Sequence, residues 1–385
     1  MLYAQFWNED GHVFFADAYN FGWWAALFSA YAGYLHVFPR LGAALALLVP
    51  LSFAPLVMNL VAIGAQALPA SLLLSSCSTA WGSLRFRAFL ASIYLALPNC
   101  YELSSTISNS YWPLALSAFL LLAASAPRGV RGRLFDFSII SLSGLTGPFC
   151  IFLLPIAVFL AWRKRDRWHW VVAGVLAAAC FIQMWSLWSG GFSSRPHYAH
   201  GASPELFARI LAGQVYLGTL LGGNGLAAHA GLGFSIVLTG IAAAGTILIA
   251  FCFLRSPLVM KLFLLFSIMI LLSALISPTL GLLSGVSAWE VLARGGGARY
   301  WFLPTLAFAW SILFCSQSRF APLKAVSAFL LCLMCFGIIR DWRHPAFPDA
   351  HFTEYVRRFE SVAPGTAFTI PESTQGWNLT LVKRP

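Results

Sequence analysis

Long apolar runs alternate with short polar stretches along this chain, a pattern typical of helices that cross a membrane repeatedly. A spanning helix needs about 20 apolar residues. Five runs in the second half approach that length, at residues 170–188, 233–254, 258–283, 301–316 and 325–339. In the first half, residues 88–98 and 112–126 predict shorter helices. Residues 41–76 predict one span plus a segment in the membrane plane, broken at Pro50 and Pro55.

The run at residues 135–162 has basic clusters at both ends and the sequence Gly-Leu-Thr-Gly-Pro in its middle. One straight crossing would put one basic cluster on the outer side. Because glycine and proline break helices, we expect two half-length helices that form a re-entrant hairpin with its tip near the outer face. Irregular backbone at that depth is tolerated only inside protein or in a wet cavity, which makes the tip a candidate floor of a site.

Composition excludes the other broad classes of protein. Of the 385 residues, 59% are apolar and 10% are charged, whereas soluble domains average about 45–50% and about 25%. A soluble enzyme, a disulfide-stapled secreted domain and a disordered chain are therefore excluded. The eight cysteines lie mostly within apolar runs. The Cys332 and Cys335 pair indicates one turn of an apolar helix rather than a redox or metal site.

The net charge of +11 comes from short basic clusters between apolar runs rather than from a basic face, which excludes nucleic acid as a partner. The positive-inside rule puts such clusters in the cytoplasm. We predict an all-α integral membrane protein, a polytopic bundle of roughly 9–11 spans. Residues 1–340 form its transmembrane module, with outer loops at 1–40, 189–231 and 284–300. Residues 341–385 form a small extracytoplasmic tail. We also expect a first spanning helix upstream of this chain.

Acidic residues are scarce, and two of them stand together in the first outer loop. Asp10 fits a general base that takes the proton from an acceptor hydroxyl, with Glu9 as its partner or as a metal ligand. The alternative is that Asp10 only caps the helix that follows. The spacing of the other acidic residues and histidines gives no evidence for a metal site, so a divalent ion remains only a possible cofactor. His197 and His200 are interpreted as loop residues.

Cations and tyrosines in the outer loops suggest an anion-binding site. Arg40 and His36 follow two tyrosines and could contact a phosphate, or they could belong to an aromatic belt with a snorkelling arginine. Arg299 and Tyr300 follow a run of three glycines, where Arg299 could stabilise a leaving phosphate. The alternative there is a flexible loop.

A short outer loop supplies two further candidates. Glu102 and Asn109 could bind an acceptor, or could lie in a solvated loop. Signature motifs for nucleotide-binding, zinc-protease and serine-hydrolase sites do not occur in the sequence.

These elements resemble the C-type glycosyltransferase superfamily (GT-C) and, over most of the chain, a group of bacterial multi-span proteins. The group shares the motifs that stand here at residues 9–11, 31–36, 39–41, 147–149 and 299–300. The resemblance implies a multi-span enzyme that uses polyprenyl-phosphate-linked donors, with its catalytic carboxylate at Asp10 or, second, Glu9. GT-C enzymes have a spanning helix before this loop, which this sequence does not contain.

Together these features predict a glycosyltransferase of the bacterial inner membrane with its active face outside the cytoplasm. It would move a sugar from a polyprenyl-phosphate donor to a glycan or lipid acceptor, among membrane lipids. A flippase of lipid-linked saccharides is the main alternative, although the charges lie at the membrane edges rather than at its middle. A third possibility is a non-catalytic partner in envelope polysaccharide assembly.

Overall fold

The computed structural model describes residues 4–104, 106–191, 199–227, 235–279, 285–343, 348–374 and 376–385. Arg195 and His197, which the sequence places in an outer loop, lie outside these ranges. Helices dominate the described chain. The α-helices are α1 (Ala16–Phe21), α2 (Trp23–Leu27), α3 (Val37–Ala46), α4 (Ala54–Leu74), α5 (Leu84–Leu95), α6 (Tyr111–Ala123), α7 (Val130–Gly144), α8 (Phe149–Lys164), α9 (Arg167–Ser186), α10 (Pro204–Arg209), α11 (Gly218–Ala227), α12 (Ser235–Arg255), α13 (Leu258–Ile276), α14 (Ala288–Ala293), α15 (Phe302–Cys315), α16 (Ala321–Asp341) and α17 (Phe352–Ser361).

Shorter turns of other helix types join several of these elements. The π-helical turns are Asp10–Phe15, Leu187–Gly191 and Ile210–Leu217, and the 3₁₀ turns are Leu51–Phe53, Ser76–Trp81, Tyr101–Leu103, Ser108–Ser110 and Ala298–Trp301. The described strands are β1 (Ala367–Pro371) and β2 (Asn378–Val382), which pair antiparallel with Thr369 opposite Thr380.

Six helical segments of the described chain are long and apolar enough to cross a membrane. They are Leu51–Leu74, Arg167–Ser189, Pro204–Gly223, Ile236–Arg255, Leu258–Ile276 and Ala321–Asp341. The chain is therefore a multi-pass, predominantly helical membrane protein, as the sequence predicts. The finer expectation of roughly 9–11 spans stays a prediction.

One of these segments differs from the sequence prediction. Pro204–Gly223 is a helical segment of 20 residues that comprises α10, a π-helical turn and the start of α11, with a kink at Gly222. It lies within the stretch 189–231 that the sequence predicts as an outer loop, and its side of the membrane stays a prediction. Its mean hydropathy is only 1.2, against 2.4–2.6 for Ile236–Arg255 and Leu258–Ile276. Its glycines and its charged and polar residues, such as Glu205, Arg209 and Gln214, lower that value.

The centre of the bundle is a helical core of apolar side chains. α6 and α15 are buried along almost their whole length. Trp310 on α15 lies 4.6 Å from Phe263 and 5.2 Å from Trp81, measured between ring centroids. The indole Nε1 of Trp310 donates to the carbonyl of Leu90 at 3.1 Å. We call this cluster the helical core.

The predicted break in residues 135–162 is present, between α7 and α8. The chain turns at residues 145–148, where Gly147 has φ +80°, a backbone conformation that favours glycine. His36 and Thr146 form an isolated β-bridge across this turn. Gln183 of α9 holds the backbone next to His36 in position. Its Oε1 accepts from Leu35 N at 2.9 Å, and its Nε2 donates to Leu35 O at 3.2 Å. The depth of the turn in a membrane stays a prediction.

The tail packs against the first segment of the chain, and we call residues 4–46 and 348–385 together the cap. Phe352, Val356 and Phe359 form the buried face of α17. The ring of Phe352 lies 5.4 Å from that of Phe6. Asn20 donates to Thr380 O at 3.0 Å and accepts from Val382 N at 2.9 Å. The cap is thus built from two stretches more than 300 residues apart.

Candidate functional site

A cavity of about 190 Å³ lies where the cap meets the helical core. The first segment contributes one wall with Glu9, Phe14, Tyr31, Tyr34 and His36. A second wall comes from the turn before α8 and from α8 itself, including Pro148 and Phe149. The predicted hairpin tip therefore borders this cavity.

The remaining walls come from a spanning helix and from the chain around residue 300. Ile270, Ser273 and Ala274 lie on α13, and Arg299 and Tyr300 lie on the 3₁₀ turn before α15. Since α13 is long and apolar enough to cross a membrane, the cavity touches a helix that lipid chains would also contact.

Glu9 and Asp10 occupy different environments although they are adjacent. Neighbouring residues of a helix do not share a face, and both begin the turn that leads into α1. Among the described residues, the cavity lining includes Glu9 but not Asp10. Glu9 interacts electrostatically with Tyr31 and Arg299, which line the same cavity.

Asp10 is buried behind the cavity wall, with 1% of its surface exposed. Its Oδ1 accepts from Ser108 N at 2.8 Å and its Oδ2 accepts from Ile107 N at 3.1 Å. Burial raises the pKa of Asp10 to about 7, and these hydrogen bonds oppose the shift only in part. Asp10 thus holds the first segment onto the 3₁₀ turn at residues 108–110, a capping contact made across the fold rather than along the chain.

Arg299 is held at the cavity wall by backbone and side-chain contacts. Its Nη2 donates to Thr279 O at 2.7 Å, and its Nη1 lies 3.5 Å from Oε2 of Glu102. The hydroxyl of Tyr300 donates to the same Thr279 carbonyl at 3.0 Å. A guanidinium stays charged at every physiological pH, so this wall carries a fixed positive charge.

Glu102 and Asn109, the two predicted acceptor-binding residues, have different placements. Glu102 is ion-paired with Arg299 and also accepts from the Arg299 backbone N at 3.3 Å. Asn109 lines the cavity, and its Nδ2 donates to the carbonyl of Glu102 at 2.8 Å. The pair therefore connects the short loop before α6 to Arg299.

His36 and Arg40, predicted together as phosphate contacts, are separated by the fold. Arg40 lies outside the lining formed by the described residues, is 1% exposed, and pairs with Asp17 at 3.0 Å. His36 lines the cavity. Burial, aided by the nearby positive charge of Arg40, lowers the pKa of His36 to about 4. The imidazole is therefore neutral at physiological pH.

Glu372 lies next to the first segment and was missed by the sequence reasoning. It is 8% exposed, and a Cβ built on Gly11 would lie 2.6 Å from its Oε1. Burial raises the pKa of Glu372 to about 8, with contributions from the charges of Asp10 and Glu9. No local signal marks Glu372, because its neighbours in the fold lie some 360 residues away in the chain.

A metal site does not emerge from the described part of the chain, where no three His, Cys, Asp or Glu side chains converge as ligands. His200 is exposed, and His197 lies outside the described residues.

Comparison with known proteins adds no identification. No family model matches the chain, and neither a curated protein nor a solved structure does. The function must be argued from the cavity itself.

Proposed function

We propose that the chain is a membrane glycosyltransferase that moves a sugar from a polyprenyl-phosphate donor to a glycan or lipid acceptor. The observation that carries the proposal is one cavity lined by Glu9, by Arg299 and by residues of the apolar helix α13. A donor with a lipid tail would reach such a cavity from the membrane. The bacterial inner membrane and its outer face, expected from the sequence, belong to the same proposal.

Glu9 serves as the general base in this mechanism. The acceptor oxygen forms a bond to the anomeric carbon as the bond from that carbon to the phosphate oxygen breaks. The acceptor proton passes to the carboxylate of Glu9, and the electron pair of the broken bond leaves with the phosphate. A positioned base of this kind contributes about 10²–10⁴-fold to a rate.

Arg299 stabilises the negative charge that develops on the leaving phosphate. Its ion pair with Glu102 and its hydrogen bond to Thr279 O fix the guanidinium before the substrate binds. Preorganised charge of this kind is worth about 10²–10³-fold per group. Asp10 acts through the backbone of Ile107 and Ser108 as a positioning residue, and Arg40 supports the cap through Asp17.

The experiment measures sugar transfer in proteoliposomes with a panel of polyprenyl-phosphate sugars. We expect Glu9→Gln to lower turnover by about 10²–10⁴-fold while donor binding persists. Arg299→Gln should lower turnover by about 10²–10³-fold. Glu205→Gln and Arg294→Gln are the matched controls, because both residues are exposed.

Two results would overturn the proposal. Wild-type protein that transfers no sugar but moves labelled lipid between leaflets would indicate a flippase. Turnover that survives Glu9→Gln unchanged and disappears in folded Asp10→Asn would transfer the role of base to Asp10.

A further inference from the structure

Four aromatic side chains in and next to α2 are exposed on the surface of the cap. Phe21, Trp24 and Phe28 are each at least 60% exposed, and Trp23 is 49% exposed. Their rings pack edge to face, with centroids 5.3 Å apart between Trp23 and Trp24 and 5.1 Å apart between Trp24 and Phe28. The sequence from residue 18 to residue 35 contains no charged side chain and no histidine. We call these four residues the aromatic patch. Contiguous exposed apolar groups of this kind mark a site of contact with protein or membrane.

Exposed apolar side chains continue from the patch to a spanning segment. α2 packs against α3. The exposed leucines of α3 and of the turn after it, Leu41, Leu45 and Leu48, have the four- and three-residue spacing of one helix face. Leu48 lies three residues before Leu51, where the spanning segment Leu51–Leu74 begins. Lipid that surrounds this segment therefore also reaches the exposed side of α3, against which α2 packs.

The residue types favour lipid over a second protein as the partner of the patch. Tryptophan is enriched where the headgroups of a bilayer meet its hydrocarbon, because the ring is apolar and its N–H can still contact water. A short helix with exposed aromatic side chains suits a position in the plane of that interface. A soluble partner would cover α2 but not the leucines beside the spanning segment, whereas the membrane covers both.

Only three residues separate α2 from the wall of the cavity. α2 ends at Leu27, and a tight turn follows at residues 31–34. In this turn Tyr31 N donates to Tyr34 O at 2.9 Å and Tyr34 N donates to Tyr31 O at 3.1 Å. Tyr31, Ala32 and Tyr34 all line the cavity. The position of α2 therefore sets the position of this wall.

We propose that the aromatic patch rests in the headgroup region of a lipid bilayer and holds the adjoining wall of the cavity at that level. The cap then lies on the membrane instead of projecting into water. The inference goes beyond the proposed glycosyltransferase function and does not depend on it, because it concerns the place of the cap and not the reaction in the cavity.

The test incorporates the photoreactive amino acid p-benzoylphenylalanine at position 24 of the full chain, in liposomes of phosphatidylethanolamine and phosphatidylglycerol. Position 329 on the spanning helix α16 is the positive control, since Phe329 is 67% exposed. Position 357 on α17 is the matched control in the cap, because Arg357 is exposed on the charged side of that helix. After irradiation, mass spectrometry identifies what each position has labelled.

We expect phospholipid adducts at position 24 in a yield similar to that at position 329 and several times that at position 357. The adducts at position 24 should lie on the glycerol and the upper carbons of the acyl chains, and those at position 329 further along the chains. Position 28 repeats the test on the same patch, so that misfolding of one labelled protein does not decide the result.

Two results would overturn the inference. Labelling of a second copy of this chain from positions 24 and 28 would make the patch a dimer interface. A lipid yield at both positions no higher than at position 357, in folded protein, would place α2 in water. Sugar transfer by the unlabelled protein is measured in the same liposomes. Lipid contact at α2 without transfer supports this inference and counts against the proposed function, and transfer without lipid contact does the reverse.

Discussion

Trp310 in the helical core and Arg40 in the cap are equally buried, at 0% and 1% exposure, but different interactions keep them there. Trp310 packs among other rings and makes one hydrogen bond. Arg40 lies over the ring of Phe14 at 5.5 Å and relies on Asp17 for a counter-charge. The core buries mainly apolar side chains, whereas the cap combines an apolar cluster with a buried ion pair.

The cap also contains the buried carboxyl groups of Asp10 and Glu372, and helix α7 of the bundle contains another, Asp136. Both regions supply polar groups to the cavity, Glu9 and His36 from the cap and Arg299 and Tyr300 from the chain before α15. The cavity lies along the boundary between them. Four changes test this division, from the largest expected effect to the smallest.

Trp310→Ala should be the most damaging single substitution. It leaves a cavity between Phe263 and Trp81 and removes the hydrogen bond to Leu90 O. We expect a loss of about 3–5 kcal/mol in the free energy of unfolding, measured by denaturant titration in mixed micelles. Trp185→Ala is the control, since Trp185 is 65% exposed and should cost no more than about 0.5 kcal/mol. Equal losses in both variants would contradict the description of the core.

Asp17→Asn should destabilise the cap by about 3 kcal/mol, because it leaves the positive charge of Arg40 buried without its counter-charge. The double variant with Arg40→Met removes that charge and should recover more than half of the loss. Protease susceptibility of residues 4–46 is the measurement. If the double variant is no more stable than Asp17→Asn alone, the pair does not stabilise the cap in this way.

Gln183→Leu tests the connection between the two regions. The substitution leaves the N–H and the C=O of Leu35 without the side chain that now bonds to both, at a cost of about 2 kcal/mol. Donor binding in the cavity that His36 lines should weaken together with the stability. Gln317→Leu is the matched control because Gln317 is exposed. Unchanged stability in Gln183→Leu would show that the β-bridge from His36 to Thr146 suffices.

The docking of the tail should depend on pH through Glu372. Its pKa rises from an ordinary 4.5 to about 8 in the folded protein, so the docked tail holds a proton that the undocked tail releases. The stabilisation is complete below pH 4.5 and is lost as the pH rises through 8. We expect proteolysis of residues 348–385 to accelerate about tenfold between pH 7 and pH 9.

Glu372→Gln should flatten most of this profile. Asp10, with a pKa raised to about 7, titrates in the same window, and adding Asp10→Asn should flatten the remainder. Glu360→Gln changes an exposed carboxyl on α17 and should leave the profile as it is in the wild type. A profile equally steep in Glu372→Gln would assign the pH dependence to another group.

Local pattern was sufficient to predict much of the helical core. The segments at α9, α12, α13 and α16 lie where continuous apolar runs predict them, and the break at Gly147 lies where glycine and proline interrupt one. The helical segment Pro204–Gly223 was not predicted from the sequence because its polar and glycine residues lower its mean hydropathy.

The site was predictable in part. Glu9, His36, Arg299, Tyr300 and Asn109 were all selected from the sequence, and all line one cavity. Which of two adjacent carboxylates faces that cavity depends on the backbone N–H groups of Ile107 and Ser108, about 100 residues away. The burial of Glu372 depends likewise on contacts that leave no periodic mark in the chain.

The construction of the cap from distant stretches also sets an order of events in biosynthesis. Gln5 bonds to Pro348 O and to Ala350 N, contacts that span 343 and 345 residues. At about 5–20 residues per second, the ribosome takes roughly 20–70 s to synthesise that interval. During this time Phe6 and Phe15 are not yet covered by α17 and by the paired strands β1 and β2. The cap thus closes after the described spanning helices have been made, which delays its completion until residues 348–385 have been synthesised.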